Sequence, residues 1–165
     1  MKHKKGPGSF AGSFFLLKGD AINLNIRDAV LGDGEALAKL NREEMGYDFP
    51  VEDTKRKLQA CLADPRNKIL VAEMDGQVIG YVHLEDYDLL YAPHMKNVLG
   101  IAVAGEYRRK GVGKALLTAG ETWARETGAT AVRLVSGETR KGAHAFYQSL
   151  GYTGNKLQRN FKKML

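Results

Sequence analysis

Cysteine is nearly absent from this chain: Cys61 is the only one in 165 residues, which excludes an intrachain disulfide and a zinc site built from thiolates alone, and suits a reducing compartment. With no histidine near it in sequence, Cys61 reads as a small apolar residue on a helix face rather than as a catalytic thiol. Histidines are few as well, and His3, His83, His94 and His144 show no ligand spacing, so no metal is expected. Long hydrophobic runs are missing. No window approaches the roughly 18 apolar residues that a membrane helix needs, so no membrane partner and a cytoplasmic location are expected. Internal repeats and low-complexity linkers are lacking too.

What is present is sized for one core: 165 residues with 44% hydrophobic content. Residues 1–20 begin like a basic region before an apolar segment, but Gly12 and Ser13 dilute that segment and Lys18 and Asp20 close it early. They read as a flexible N-terminal extension, with one domain over 21–165. Lys and Arg outnumber Asp and Glu by 25 to 19, for a formal charge of +6, which favours an anionic partner: a nucleic acid, a membrane surface or a phosphorylated cofactor. Part of the excess sits at the ends, in Lys2, Lys4 and Lys5 and in Lys156, Arg159, Lys162 and Lys163. No aromatic-basic interleaving accompanies them, so no nucleic-acid partner is expected.

Along the chain, residues 22–27 alternate polar and apolar side chains as a half-buried strand does. Gly32 and Asp33 offer a turn and an N-cap to a helix carrying Ala36, Leu37, Leu40 and Met45. A second helix from near Val51 groups Leu58, Cys61 and Leu62 and ends at Asp64-Pro65. Strand-like runs at 68–74 and 77–84 meet at Asp75-Gly76, a dipeptide suited to the positive φ angles of a tight hairpin. Residues 85–96 read as irregular. A buried strand at 98–103 precedes a helix spaced on Val112, Ala115, Leu116, Ala119 and Trp123, with Gly128 as its C-terminal cap. A strand at 131–135, a helix carrying Ala143, Phe146, Tyr147 and Leu150 before Gly151, and a last strand or hairpin over 152–165 complete the order. That order implies an α/β chain of α+β character, a central mixed sheet flanked by helices on both faces.

Between the strand at 98–103 and the helix from Val112 runs a basic loop, Arg108-Arg109-Lys110-Gly111-Val112-Gly113-Lys114. Gly111 and Gly113 let backbone N–H groups approach a ligand, the helix N-terminus adds partial positive charge, and the basic side chains add full charges, so a pyrophosphate suits it. A Walker A loop would need Gly where Arg108 stands and Ser or Thr where Ala115 stands. A dinucleotide fingerprint would need Gly or Ala where Leu116 stands. Neither ATP nor NAD is indicated, and on the residues alone a plain turn beneath solvated basic side chains stays open.

The pattern Arg108-x-x-Gly111-x-Gly113 resembles the acetyl-CoA motif of the GNAT acetyltransferase superfamily, R/Q-x-x-G-x-G/A. Ala143-x-x-Phe146-Tyr147-x-x-x-Gly151-Tyr152 is similar to a second motif of that family, and the element order matches over 22–165. Many members have Pro where Gly105 stands and Asn where Arg140 stands, so no Asn side chain is expected to hold pantetheine here. The resemblance implies a GNAT-like fold and an N-acetyltransferase that uses acetyl-CoA as cosubstrate. It places the pyrophosphate on backbone N–H groups of Arg109, Lys110, Gly111, Val112, Gly113 and Lys114, and pantetheine along Ile101, Ala102 and Val103, with an N–H near Ile101 or Ala102 as oxyanion donor. It also implies direct attack by an amine on the thioester, and gives the Tyr147 hydroxyl the task of protonating the departing thiolate.

An alkylamine is almost wholly protonated at neutral pH, so a base must take its proton. By location the candidates are Glu85 and Asp86, with His83 and His94 behind them. Glu43, Glu44, Tyr47 and Asp48, together with Glu85, Asp86, Tyr87, Asp88 and Tyr91, form two acidic and aromatic segments on the acceptor side, and suggest a small cationic amine. Two ordinary polar loops would read the same way. A peptide or protein amine, another acyl chain, and a non-catalytic acyl-CoA sensor stand as alternatives. A homodimer through the C-terminal strand stays open.

Overall fold

Asp75 and Gly76 take φ of 49° and 77°, the left-handed pair a two-residue turn requires, and fold β3 (Asn67–Met74) back on β4 (Gln77–Leu89). The computed structural model describes residues 13–16, 23–154 and 156–165; most of the expected extension and Ile22 lie outside them. Within that extension β1 (Ser13–Leu16) pairs antiparallel with β2 (Asn23–Asp28), so the sheet has one strand more at this edge than the alternation of residues suggested. β2 pairs in turn with β3, and β4 with β5 (Ala92–Val103), all antiparallel. With β6 (Ala131–Leu134) beside β5, the six strands lie in chain order.

Residues 85–96 are not irregular. β4 runs on to Leu89, turns at the exposed Leu90 and Tyr91, and returns as β5 from Ala92. The sequence hid this because the extension is stitched by polar cross-strand neighbours rather than apolar alternation. Asn97 donates to Glu85, Lys96 meets Asp86, and the Arg133 guanidinium lies 4.4 Å from the centre of the Tyr87 ring. At the other end of the pairing, His83 faces Gly100 and Leu84 faces Val98, so Leu99 is a bulged residue of β5.

Helices α1 (Gly34–Met45) and α2 (Val51–Ala63) cover one face of the sheet. Leu37, Leu40 and Leu58 pack there on Ile69, Val71, Tyr81 and Ala102. Cys61 packs at the edge of this cluster, and burial pushes its thiol pKa up, as befits an unreactive side chain. Asp33 does not cap α1 with its side chain. Its carboxylate accepts the Val30 N–H at 2.8 Å and pairs with Arg27, which also holds Glu73. Gly46, at φ 77°, ends α1.

Helix α3 (Val112–Glu126) covers the other face. Gly120 is where it comes closest: a Cβ there would stand 2.9 Å from Leu84 Cδ1. The Lys96 ammonium, 2% exposed as a side chain, binds Asp86 and lies 4.0 Å from the centre of the Trp123 ring. Removing Asp86 would leave a charge only 2% exposed without its partner, whereas removing the Lys96 cation would leave a carboxylate that is 23% exposed to water. Asp86→Ala is therefore expected to lose about 3 kcal/mol of stability, and Lys96→Met clearly less. Urea unfolding of the two variants checks the order.

The chain divides into two compact units, Met1–Arg133 and Leu134–Leu165. In the second, α4 (Lys141–Ser149) sets the Phe146 and Tyr147 rings 5.3 Å apart, and Tyr147 meets Tyr152 edge-on at 6.0 Å. The strand expected over 152–165 does not form among the described residues. Leu157, Phe161, Met164 and Leu165 are exposed and do not recur at a period of two, so no face is left to pair or bury. The strand edge anticipated for a homodimer is thus not formed among the described residues.

Candidate active site

The loop after β5 is shaped by its backbone. Ala104 N–H donates to Ile79 O at 2.9 Å and holds the end of β5 on β4. A single 3₁₀ turn over Gly105–Tyr107 follows, and then Arg109 and Gly111 enter the left-handed region at φ 62° and 88°. Gly111 is the N-cap of α3 and has no side chain to offer. The first intrahelical bond is Ala115 N–H to Gly111 O, 3.0 Å, so the N–H groups of Val112, Gly113 and Lys114 have no partner within the helix. The first turn carries no acidic residue. An uncapped, positively polarised helix start ringed by exposed Arg109, Lys110 and Lys114 fits a phosphate-bearing cosubstrate.

Arg108 has a different task from its neighbours. Its Nε donates to Val103 O at 3.2 Å and its guanidinium pairs with Glu44 of α1, whose carboxylate also accepts the Gly105 N–H at 2.9 Å. Arg108 and Glu44 thus brace the loop against α1. Ile101, Ala102 and Val103 lie on β5 opposite Val82, Tyr81 and Gly80.

Beside this segment a recess of about 390 Å³ opens on the α1 and α2 face. Its wall comes from Asn41 and Met45, from Tyr47 and Phe49 in the α1–α2 connection, from Lys57 of α2, and from Tyr81, His83, Leu99 and Gly100 of the sheet. A larger recess of about 690 Å³ lies along the end of β2 and the start of β3, includes Asp28 and Lys68 paired at 2.6 Å, and has no wall from β5. The smaller one borders the strand that leads into the loop, and is the one placed for chemistry.

Two polar groups in the smaller recess are held in defined states. The Tyr81 hydroxyl donates to Asn41 Oδ1 and lies 3.5 Å from Met45 Sδ; burial pushes its pKa up to about 12, so it stays a phenol. His83 Nε2 lies 2.9 Å from Asn67 Oδ1. A carbonyl oxygen only accepts, so Nε2 carries the proton and Nδ1 keeps its lone pair. Burial lowers the His83 pKa below the usual 6.5, although Glu85 opposes this, and the imidazole is neutral at pH 7.

Of the acidic residues expected around the acceptor, all but the exposed Asp48 meet internal partners. Strand alternation sends Glu85 to the His83 face, where Asn97 Nδ2 donates to it at 3.3 Å, and Asp86 to the α3 face, where Lys96 holds it. Neither lines the recess. Glu43 is 4.0 Å from Lys39, Asp88 is 2.6 Å from His94 Nδ1, and Glu44 braces the loop. Asn67, Asn41 and Lys57 carried no sequence signal; of the residues expected on the acceptor side, Tyr47 and His83 line this recess. Tyr147 belongs to the second unit. It is half-buried, and burial raises its pKa against the opposing pull of Arg140, which keeps the hydroxyl protonated at neutral pH.

Comparison with known proteins agrees with this geometry. The family model described as Acetyltransferase (GNAT) family matches residues 34–152. An uncharacterized N-acetyltransferase of Bacillus subtilis, YhfO, is 30% identical over 135 residues, spanning 78% of this chain and 89% of the relative. An N-alpha-acetyltransferase of Sulfurisphaera tokodaii is 32% identical over 150 residues, spanning 82% and 84%. An aminoglycoside N-acetyltransferase solved with CoA shares the fold, with a TM-score of 0.80 at 18% identity over 90% of this chain and 100% of its own. The chain thus belongs to the GNAT acetyltransferase family and is an N-acetyltransferase that uses acetyl-CoA as cosubstrate.

Proposed function

We propose that this enzyme acetylates the primary amine of a small molecule seated in the recess between α1, α2 and the β4–β5 pair. The observation that carries the reading is register: His83, neutral and with Nδ1 unprotonated, stands directly opposite Gly100, one residue before Ile101, Ala102 and Val103. An amine in the recess and an acetyl group lying along those residues would be brought together there.

In this reading the backbone N–H groups of the loop, Arg109, Lys110, Gly111, Val112, Gly113 and Lys114, hold the pyrophosphate, and β5 backbone at Ile101, Ala102 and Val103 orients pantetheine and the thioester carbonyl. His83 Nδ1 takes the proton from the acceptor ammonium, the role first sought at Glu85 and Asp86. The freed amine attacks the thioester carbon, and the carbon–sulfur bond breaks with its electron pair on sulfur. Tyr147, carried over from the family motif, gives its hydroxyl proton to that sulfur, and the second proton, lost from nitrogen as the amide forms, returns through solvent to the phenolate. Solved neighbours include aminoglycoside acetyltransferases, which favours a small amine over a protein. The relative named as an N-alpha-acetyltransferase keeps a peptide N-terminus as the second reading.

Release of free thiol from acetyl-CoA against a panel of amines, amino acids and short peptides tests the reading; retention of bound coenzyme with no release from any amine would sink it. Three variants report on the parts. Gly111→Val forces a β-branched residue to φ 88° and is expected to raise KM for acetyl-CoA by roughly tenfold or more, read from initial rates. Tyr147→Phe should lower kcat far more than it weakens acetyl-CoA binding, and an unchanged kcat would remove Tyr147 as the acid. His83→Gln should lower kcat/KM by about a hundredfold. Because His83 must be neutral to act, wild-type kcat/KM should rise as pH climbs through a value below 6.5, and the variant should lose that limb.

A further inference from the structure

The recess has a chemical character that neither its position nor the family dictates. Among the described residues its wall holds no carboxylate, and Lys57 is its only formally charged group. Met45, Phe49 and Leu99 give it an apolar lining, and Tyr47 adds a second aromatic ring. Tyr47, Phe49 and Leu99 are 63%, 39% and 48% exposed. Large apolar side chains left open around one concavity mark a surface that a ligand covers.

Lys57 differs from the cations beside it on α2. Lys55 is bound by Glu35 and Glu52, each at 3.1 Å, and Arg56 by Asp53. Lys57 enters no ion pair among the described residues, and its helix position turns it to the recess. A polycation placed there would meet a lysine in the wall and no carboxylate among the wall residues. A small zwitterion would cancel the lysine and cover the aromatic rim.

Resting on the acceptor reading above, we propose that the acceptor is a small primary amine carried on an apolar or aromatic body that also bears a carboxylate, with Lys57 as the carboxylate's partner. The reactive end still presents an amine to His83. The body lies against Phe49, Tyr47 and Leu99, and the carboxylate turns outward to the α2 rim. This reverses the expectation of a cationic acceptor, because five of the six carboxylates behind that expectation meet Arg108, Lys96, Lys39, His94 and Asn97, and the sixth, exposed Asp48, is not part of the recess wall.

The test compares matched pairs at saturating acetyl-CoA: phenylalanine against phenethylamine, and para-aminomethylbenzoate against benzylamine, with spermidine and an aminoglycoside alongside. The expected result is a kcat/KM advantage of roughly fivefold for the carboxylated member of at least one pair, the worth of one partly exposed ion pair. Lys57→Glu should invert that ratio, and Lys55→Met should keep it. Preference for spermidine or the aminoglycoside, or a ratio indifferent to Lys57→Glu, overturns the proposal while leaving acetyl transfer intact. No thiol release from any amine, with coenzyme still bound, strikes instead at the transfer reading. Calorimetric titration of the two carboxylated amines into enzyme and coenzyme A then decides the recess alone: binding weakened by Lys57→Glu upholds it, and no heat from either overturns it.

Discussion

The long antiparallel pairing of β4 with β5 is the constraint on which the rest of this structure depends. It sets Tyr81 and His83 opposite Ala102 and Gly100, and through the Ala104–Ile79 bond it delivers the chain to the loop at a fixed point. The bulge at Leu99 falls between the two functional stretches of β5 and changes which side chains face α1. On one side of that point a neutral histidine faces an apolar recess. On the other, a helix begins with unpaired N–H groups. The recess wall at Gly100 and the start of α3 are joined by the end of β5, one 3₁₀ turn and a short loop.

Charge in this protein is arranged by pairing rather than by net balance. The formal excess of +6 says less about partners than the fate of each carboxylate. Glu44 shows the principle most directly. It joins Arg108 to α1 and accepts the N–H of Gly105, which a proline at that position could not give. The basic residue that opens the loop motif is thereby a brace, while Arg109, Lys110 and Lys114 stay exposed around the start of α3. At the far end of the ladder Lys96 and Asp86 do for the α3 face what Arg108 and Glu44 do for the loop. They tie an element to the sheet with a pair sheltered from water, where electrostatic attraction is stronger than at the surface.

Burial sets the protonation states that the chemistry uses. The same desolvation raises the phenols of Tyr81 and Tyr147 and lowers the imidazole of His83. One physical cause thus leaves a neutral imidazole in the first unit and a protonated hydroxyl in the second.

The sequence by itself determined much of this protein: the hairpin at Asp75-Gly76, the amphipathic spacing of α1, α2 and α3, and the glycines of the loop. Each is a local signal, in which a φ angle or a helical period is written in neighbouring residues. Tertiary structure alone decided the rest. β1 and the extended ends of β4 and β5 carry little apolar alternation and exist because a neighbouring strand takes their backbone hydrogen bonds. Glu85 and Asp86, adjacent in sequence, point to opposite faces. His83 acquires its tautomer from Asn67, 16 positions away, and Lys57 its place at the recess from the packing of α2. Whether a charged side chain is a site or a strut depends on what lies across from it, and that is fixed only when distant segments meet.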